Sequence, residues 1–319
     1  MNLLEQLKTQ TTVVADSGDF ESIKKFKPID ATINPSLIYT ASLNARYAGL
    51  MDDAVTFAKD RSINSHDRPG LAINKLFVDF GLEILKIIPG RVSTEADARL
   101  SFDTEGTLIK ARNLISLYKE AGIDRERVLI KIASTWEGIK AAEQLTKEGI
   151  RCNMTLLFSF PQAVASAEAG VQLVSPFVGR ILDWYEKAYF EKQISPAEEP
   201  GVLLVKRIYN YYKNFGYKTE VMAASFRNIG EITELSGCDL MTISPEFLSE
   251  LEKTEGVLER QLLPEKHKEM AIGKITMDEK TFRWMMNENV MASQKLAEGI
   301  RKFTEDLLKL EKIIKKKCE

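Results

Sequence analysis

Lys131 lies inside the run Arg127-Val128-Leu129-Ile130-Lys131-Ile132-Ala133-Ser134, an apolar, branched stretch with the composition of a β-strand. Side chains alternate across a strand, so Leu129, Lys131 and Ala133 share one face while Val128, Ile130 and Ile132 share the other. Both faces read as buried, as in a parallel sheet covered by helices. An ammonium held there loses hydration, which favours the neutral amine, and a neutral lysine amine attacks carbonyls to form Schiff bases. The same placement also suits a buried lysine that merely pairs with a carboxylate. The strand alone does not choose between them.

Other polar residues gather at strand ends on one parity: Asp16; Thr32 and Asn34; Ser93 and Glu95; Asn153 and Thr155; Ser175; Ser225; Thr242 and Ser244. Residues at i and i+2 point the same way, so an inward parity would ring one lysine with two carboxylates, two amides and several hydroxyls. Singly, each has the commoner fate of a strand-end hydrogen bond to a loop. Their coincidence on successive strands favours a site. Two arginines stand apart: Arg180, after Pro176-Phe177-Val178-Gly179, and Arg227, in Ser225-Phe226-Arg227-Asn228, which is expected to open the helix after the seventh strand. A cation in a helix's first turn opposes the macrodipole unless an anion binds there, which suggests a phosphate on the substrate. An ion pair with a neighbouring helix is an equal alternative for either arginine.

The elements that must position these residues follow from the hydrophobic pattern. Strands are expected at 11–16, 30–34, 91–95, 128–133, 152–158, 171–178, 221–225 and 239–244, with amphipathic helices at 71–88, 104–121, 136–148, 201–215 and 228–236. This alternation predicts an α/β protein, a (β/α)8 TIM barrel, although an open doubly wound sheet shares the local pattern. No linker divides residues 1–319, so a single barrel domain is expected, with extra helix at about 41–61 and terminal helices at about 278–317.

Composition narrows the function. Lys and Arg number 44 against 46 Asp and Glu, for a net charge of −2, which gives no electrostatic footprint for nucleic acid or an anionic membrane. Neither a signal peptide nor a membrane span is legible, and a soluble cytoplasmic protein is expected. Cys152, Cys238 and Cys318 lack disulfide or zinc spacing and read as free thiols. His66 and His267 stand alone in polar stretches and read as surface residues, leaving no basis for a histidine metal centre or a Ser-His-Asp triad. Asn153-Met154-Thr155 matches a glycosylation acceptor but falls inside a strand, and no nucleotide-binding glycine motif occurs.

The segments Val14-Ala15-Asp16-Ser17-Gly18-Asp19, Asp30-Ala31-Thr32-Ile33-Asn34-Pro35-Ser36, Ser93-Thr94-Glu95-Ala96-Asp97 and Ile130-Lys131-Ile132-Ala133-Ser134-Thr135-Trp136 resemble transaldolase in order and spacing. So do Cys152-Asn153-Met154-Thr155-Leu156, Ser175-Pro176-Phe177-Val178-Gly179-Arg180 and Ala224-Ser225-Phe226-Arg227. The match runs from about residue 10 to the terminal helices, and the length suits the long branch of the family. Ile33 departs from the small polar residue common there and is expected to face away from the site.

The resemblance implies a class I aldolase-type barrel. Lys131 would attack the C2 ketone of fructose 6-phosphate or sedoheptulose 7-phosphate. Asp16 would take the C4 hydroxyl proton, and Glu95, with Thr155 and a water, would manage protons during imine formation. Asn34 and Asn153 would orient hydroxyls of the three-carbon unit; Ser225, Arg227 and Arg180 would hold phosphate; and Thr32, Ser175 and Phe177 would also line the substrate site. No metal or organic cofactor is implied, and the partners are sugar phosphates and a second copy in a homodimer. A fructose 6-phosphate aldolase would use the same imine but release dihydroxyacetone; that branch tends to be shorter and to carry tyrosine near the place of Phe177, so length and Phe177 favour transfer. A non-catalytic phosphosugar-binding barrel is disfavoured by Lys131, Asp16 and Glu95 together, on the view that such a module has no use for an unpaired buried amine.

Overall fold

The structure is a computed structural model that describes residues 1–188, 194–263 and 273–319. Eight parallel strands follow one another around a closed barrel: β1 (Thr12–Asp16), β2 (Asp30–Thr32), β3 (Val92–Glu95), β4 (Val128–Ala133), β5 (Cys152–Leu157), β6 (Leu173–Pro176), β7 (Glu220–Ala224) and β8 (Leu240–Ile243). β8 pairs with β1 through Thr12–Leu240 and Val14–Thr242, so the (β/α)8 barrel is formed and the open sheet is excluded.

Helices wrap this barrel. α1 (Leu3–Gln10) precedes β1 and α2 (Phe20–Phe26) follows it, while α3 (Pro35–Ser42), α4 (Ala48–Arg61) and α5 (Arg68–Leu85) lie between β2 and β3. α6 (Thr104–Glu120), α7 (Trp136–Lys147) and α8 (Phe160–Glu168) link the next strands, and α9 (Val178–Ala188) and α10 (Pro200–Asn214) lie between β6 and β7. α11 (Ile229–Thr233) joins β7 to β8, α12 (Pro245–Lys253) follows, and α13 (Glu279–Glu288) and α14 (Val290–Cys318) end the chain.

Several boundaries differ from the sequence expectation for local reasons. β2 stops at Thr32 because Asn34 caps α3 through Leu37 N–H at 2.9 Å, with Pro35 at its first position. β6 stops at Pro176 because Val178 already opens α9. The expected helix at 41–61 is interrupted at Asn44, whose side chain caps a short 3-10 turn, Ala45–Tyr47, before α4 begins. Asn289 likewise separates α13 from α14 and caps the latter through Ala292 N–H at 3.0 Å. The helix expected at 228–236 is regular only from Ile229 to Thr233. Cys152 and Cys238 are buried free thiols, Cys318 is a partly buried one, and Ile33 lies in the outer core. His66 is exposed, and His267 lies outside the described residues.

Inside the barrel the alternating parity stacks side chains in layers. At the N-terminal end Arg91 bridges Asp30 and Glu220, each at 2.7 Å. Above it Val14, Leu173, Met222 and Leu240 form an apolar plug distinct from the outer core. The next layer carries Asp16, Glu95 and Lys131. α14 covers the opposite end; its 29 residues span roughly 43 Å. It is fastened by Ser36 Oγ to Asp306 Oδ2 at 2.5 Å and by Arg99 to Glu311 at 2.5 Å. Gly299 brings it onto β5: a Cβ there would lie 2.6 Å from Leu156 Cδ2.

Candidate active site

Lys131 is paired in register with Glu95 on β3 and with Asn153 on β5. Its Nζ donates to Glu95 Oε2 at 3.0 Å, and both residues are 4% exposed. The carboxylate pairing that the strand alone left open is present, on the adjacent strand, so an unpaired amine gives no ground against a binding module. Burial raises the Glu95 carboxyl above its ordinary range, against the pull of Lys131 and Arg180. Burial also raises Asp16, opposed by Lys131, by a hydrogen bond from Thr32 and by Arg180.

The hydroxyl and amide ring orients these three groups. Thr32 Oγ1 donates to Asp16 Oδ1 at 3.0 Å. Its hydrogen is thereby committed, so Thr242 is the donor in the 2.7 Å contact between the two threonine hydroxyls. Asn153 is fully buried; its Nδ2 donates to Ser93 Oγ at 3.0 Å and its Oδ1 accepts from Ser175 Oγ at 2.6 Å. Asn34 spends its Oδ1 on the α3 cap, and its Nδ2 has no partner among the described residues. Thr155, beside Ala133 in the β4–β5 ladder, has a buried Oγ1 with no partner among the described residues.

A cavity of ≈30 Å³ is lined by Asp16, Thr32, Asn34, Lys131, Ser175 and Phe177, with Arg180, Ser225, Thr242 and Phe303 closing it. That is room for about two waters, so a substrate of the size that the resemblance implies would have to displace part of this cover. Phe303 of α14 stands 5.8 Å from Lys131 Nζ and 5.6 Å from the Arg180 guanidinium, measured to its ring centroid. Sequence reasoning missed this residue. The amphipathic pattern of α14 marks Phe303 as inward, but nothing in that pattern says which apolar side chain reaches the barrel mouth.

Two backbone positions at the rim are strained. Leu156 (φ 52°), at the irregular end of β5, and Ser225 (φ 61°), just past β7, both lie in the left-handed region at a cost of about 1–3 kcal/mol each. The Ser225 carbonyl accepts Gly179 N–H at 3.0 Å, and a Cβ on Gly179 would lie 2.6 Å from that oxygen. Only glycine permits α9 to start so close to the β7 loop.

The arginines behave differently from each other. Arg180 is in the first turn of α9, 4.8 Å over the Phe177 ring, and makes no hydrogen bond or ion pair among the described residues. Burial and the nearby Arg227 charge lower its pKa. Arg227 is not in a helix's first turn, contrary to expectation: Asn228 is the N-cap of α11, which leaves Arg227 outside. Its guanidinium grips Asp183 of α9 at 2.8 and 2.7 Å, so the helix-dipole argument applies to Arg180 alone and the ion-pair alternative describes Arg227. Phe177 packs edge-to-face on Phe158, with centroids 5.5 Å apart, and is 5% exposed.

Comparison with known proteins identifies the family. The family model described as "Transaldolase/Fructose-6-phosphate aldolase" matches residues 13–314. The chain is 60% identical over 315 residues to a transaldolase of Marinomonas sp., covering 98% of each chain. It is 58% identical over 316 residues to a transaldolase of Methylococcus capsulatus, covering 98% of this chain and 96% of that one. It is 58% identical over 317 residues to a probable transaldolase of Drosophila melanogaster, covering 99% of this chain and 96% of that one. A closed eight-stranded barrel, a family match from the first strand into the last helix and full-length likeness to transaldolases together assign the chain to the transaldolase family.

Proposed function

We propose that Lys131 is the Schiff-base nucleophile of a transaldolase, carrying a dihydroxyacetone unit from a ketose phosphate to an aldose phosphate. The observation that carries this reading is the buried Lys131–Glu95 pair at 3.0 Å with Asp16 in the same chamber. Transfer of a proton from the ammonium to Glu95 yields a neutral amine beside a carboxylic acid, and the raised affinity of Glu95 for a proton favours that exchange. The amine attacks the C2 ketone of fructose 6-phosphate or sedoheptulose 7-phosphate. Glu95 then returns its proton to the departing hydroxyl, and the unpartnered Thr155 hydroxyl suits a water that relays it.

Asp16, held by Thr32, takes the C4 hydroxyl proton, the C3–C4 bond breaks and an aldose phosphate leaves. The electron pair goes into the iminium, which becomes an enamine, so the chemistry needs neither metal nor organic cofactor. Glyceraldehyde 3-phosphate or erythrose 4-phosphate then accepts the three-carbon unit. Asn34 and Asn153 orient its hydroxyls and Ser175 holds the Asn153 amide. Arg180, with Ser225 and Arg227, receives the phosphate; Arg227 exchanges Asp183 for it. An apolar ring at Phe177 offers the enamine no proton donor, which favours transfer over release. The family likeness also supports a homodimer in the cytoplasm.

Borohydride reduction with fructose 6-phosphate, followed by peptide mapping, tests the assignment. A three-carbon adduct is expected on Lys131 alone, and Lys131→Arg is expected to be inactive because a guanidinium forms no imine. An unmodified Lys131 peptide from fully active enzyme would sink the covalent mechanism.

A further inference from the structure

The loop that carries Arg227 is held from behind by two buried carboxylates that the reaction does not use. Glu231 in α11 is 0% exposed and Glu199, just before α10, is 3% exposed. Glu231 Oε2 accepts the Arg227 backbone N–H at 2.6 Å, and the Glu231 N–H donates to Asn228 Oδ1 at 2.8 Å. Asn228 Nδ2 donates in turn to Glu199 Oε1 at 3.3 Å. Residues 227 and 228 are thus gripped by both acids. The two acids converge on Asn228, and each keeps one buried oxygen that lacks a partner among the described residues, Oε1 of Glu231 and Oε2 of Glu199. Two ionised carboxylates in contact repel strongly where water is excluded, whereas a single proton between them makes a short, charge-assisted bond.

The surrounding charges offer no substitute for that proton. The Arg227 guanidinium turns away to Asp183. Lys206 of α10 is committed to Glu234 at 2.8 Å. α12, which packs on α11, brings Glu246, Glu250 and Glu252, the last paired with Lys25, and Glu198 beside the pair is exposed. Burial pushes the Glu231 carboxyl up to about 8; the Arg227 N–H pulls it back and Glu199 adds to the rise.

We propose that Glu199 and Glu231 share one proton and together form a positioning pair for Arg227, so that affinity for the substrate phosphate falls when that proton leaves. This rests on the reading above that Arg227 binds phosphate. The coupling is mechanical. Gly230 sits so tightly under Pro196 that its Cβ would lie 2.5 Å from Pro196 Cγ, so carboxylates that move apart must move the 3-10 turn Pro196–Glu198 against the α11 N-terminus. That shift carries Arg227 with it. The substrate cannot mimic the effect between pH 7 and 9, because a phosphate monoester gives up its second proton near pH ~6. By reciprocity, a one-unit change in the proton affinity of the pair on phosphate binding corresponds to a tenfold change in affinity for phosphate.

Glu231→Gln tests this: its amide keeps a donor toward Glu199 and an acceptor for Arg227 N–H at every pH. Binding is measured with glucitol 6-phosphate, which lacks the ketone and reports affinity without the imine. Wild-type affinity is expected to weaken about tenfold from pH 7 to 9, Glu231→Gln to stay flat, and Arg227→Ala to be weak throughout. Infrared difference spectra should show a protonated carboxyl at pH 7 that titrates away toward pH 9 and is missing in Glu231→Gln. Wild-type affinity that is flat over this range, a variant that tracks the wild type, or absence of the carboxyl band overturns the proposal. A carboxyl band of the expected behaviour together with undiminished binding in Arg227→Ala instead refutes the phosphate role of Arg227, and the positioning role falls with it.

Discussion

Lys131→Met is expected to do two separable things: abolish turnover and strand the carboxylate of Glu95. The lost bond is the 3.0 Å contact between two side chains that are only 5% and 3% exposed. The Coulomb attraction within such a pair largely offsets desolvation, so the relevant quantity is the cost of removing one partner, about 3–5 kcal/mol. That is a large share of the roughly 5–15 kcal/mol that holds most folded proteins together. The pH dependence has a definite sign. Burial already raises Glu95, and removing Lys131 takes away the strongest influence that lowers it. The folded variant therefore keeps the Glu95 proton at pH values where the unfolded chain has lost it, and stability falls as pH rises from the ordinary glutamate range to the raised folded value. The deficit relative to wild type should be small near pH ~4.5 and large near pH ~7.5, as urea unfolding followed by circular dichroism will measure. Adding Glu95→Gln should restore most of the lost stability near neutral pH without restoring any activity. A single variant that unfolds at the wild-type urea concentration near neutral pH, or a double variant no more stable than the single, refutes the buried-pair argument.

Asp16→Asn should still trap the imine with borohydride while C3–C4 cleavage slows by roughly 10²- to 10⁴-fold; wild-type turnover would transfer the role of base to another group. Arg227→Ala should weaken fructose 6-phosphate binding far more than binding of unphosphorylated fructose, and equal losses would make the arginine purely a partner of Asp183. Phe177→Tyr should raise dihydroxyacetone release from fructose 6-phosphate at the expense of transfer, as followed with and without glyceraldehyde 3-phosphate. Wild-type enzyme that releases dihydroxyacetone as fast without an acceptor as it transfers with one would argue for an aldolase.

The barrel was legible because its strands are short branched runs with polar residues on one parity, and β4 has the bounds that composition assigns it. The inward set of Asp16, Glu95 and Lys131 follows from the same parity. Other parts were hidden for physical reasons. α8 is buried at every position from Phe160 to Ala167, so it shows no polar face from which a helical period could be read. Arg227 looked like a first-turn residue because the left-handed backbone at Ser225 and the capping role of Asn228 are properties of three-dimensional geometry, not of residue type. Phe303 reaches the lysine across more than 170 intervening residues, and no local pattern encodes that meeting. The convergence of Glu199 and Glu231 on Asn228 was invisible for the same reason, each acid looking like an ordinary charged residue near a helix start.

The filled lower half of the barrel bars that end of the chamber as an entrance. Arg91, Asp30 and Glu220 bridge one end, the Val14–Leu173–Met222–Leu240 plug lies above them, and Arg180 and Phe303 line the cavity toward the other end. On the proposed reading, in which Lys131 holds the three-carbon unit, an entrance on the Arg180 and Phe303 side would serve the first aldose phosphate and its replacement in opposite directions. A shared entrance would favour departure of the first before entry of the second, so shape as well as chemistry would support a substituted-enzyme order of events. Water bound for the proposed enamine would take that route too, and an acceptor seated at the entrance would shield the intermediate that it is about to consume.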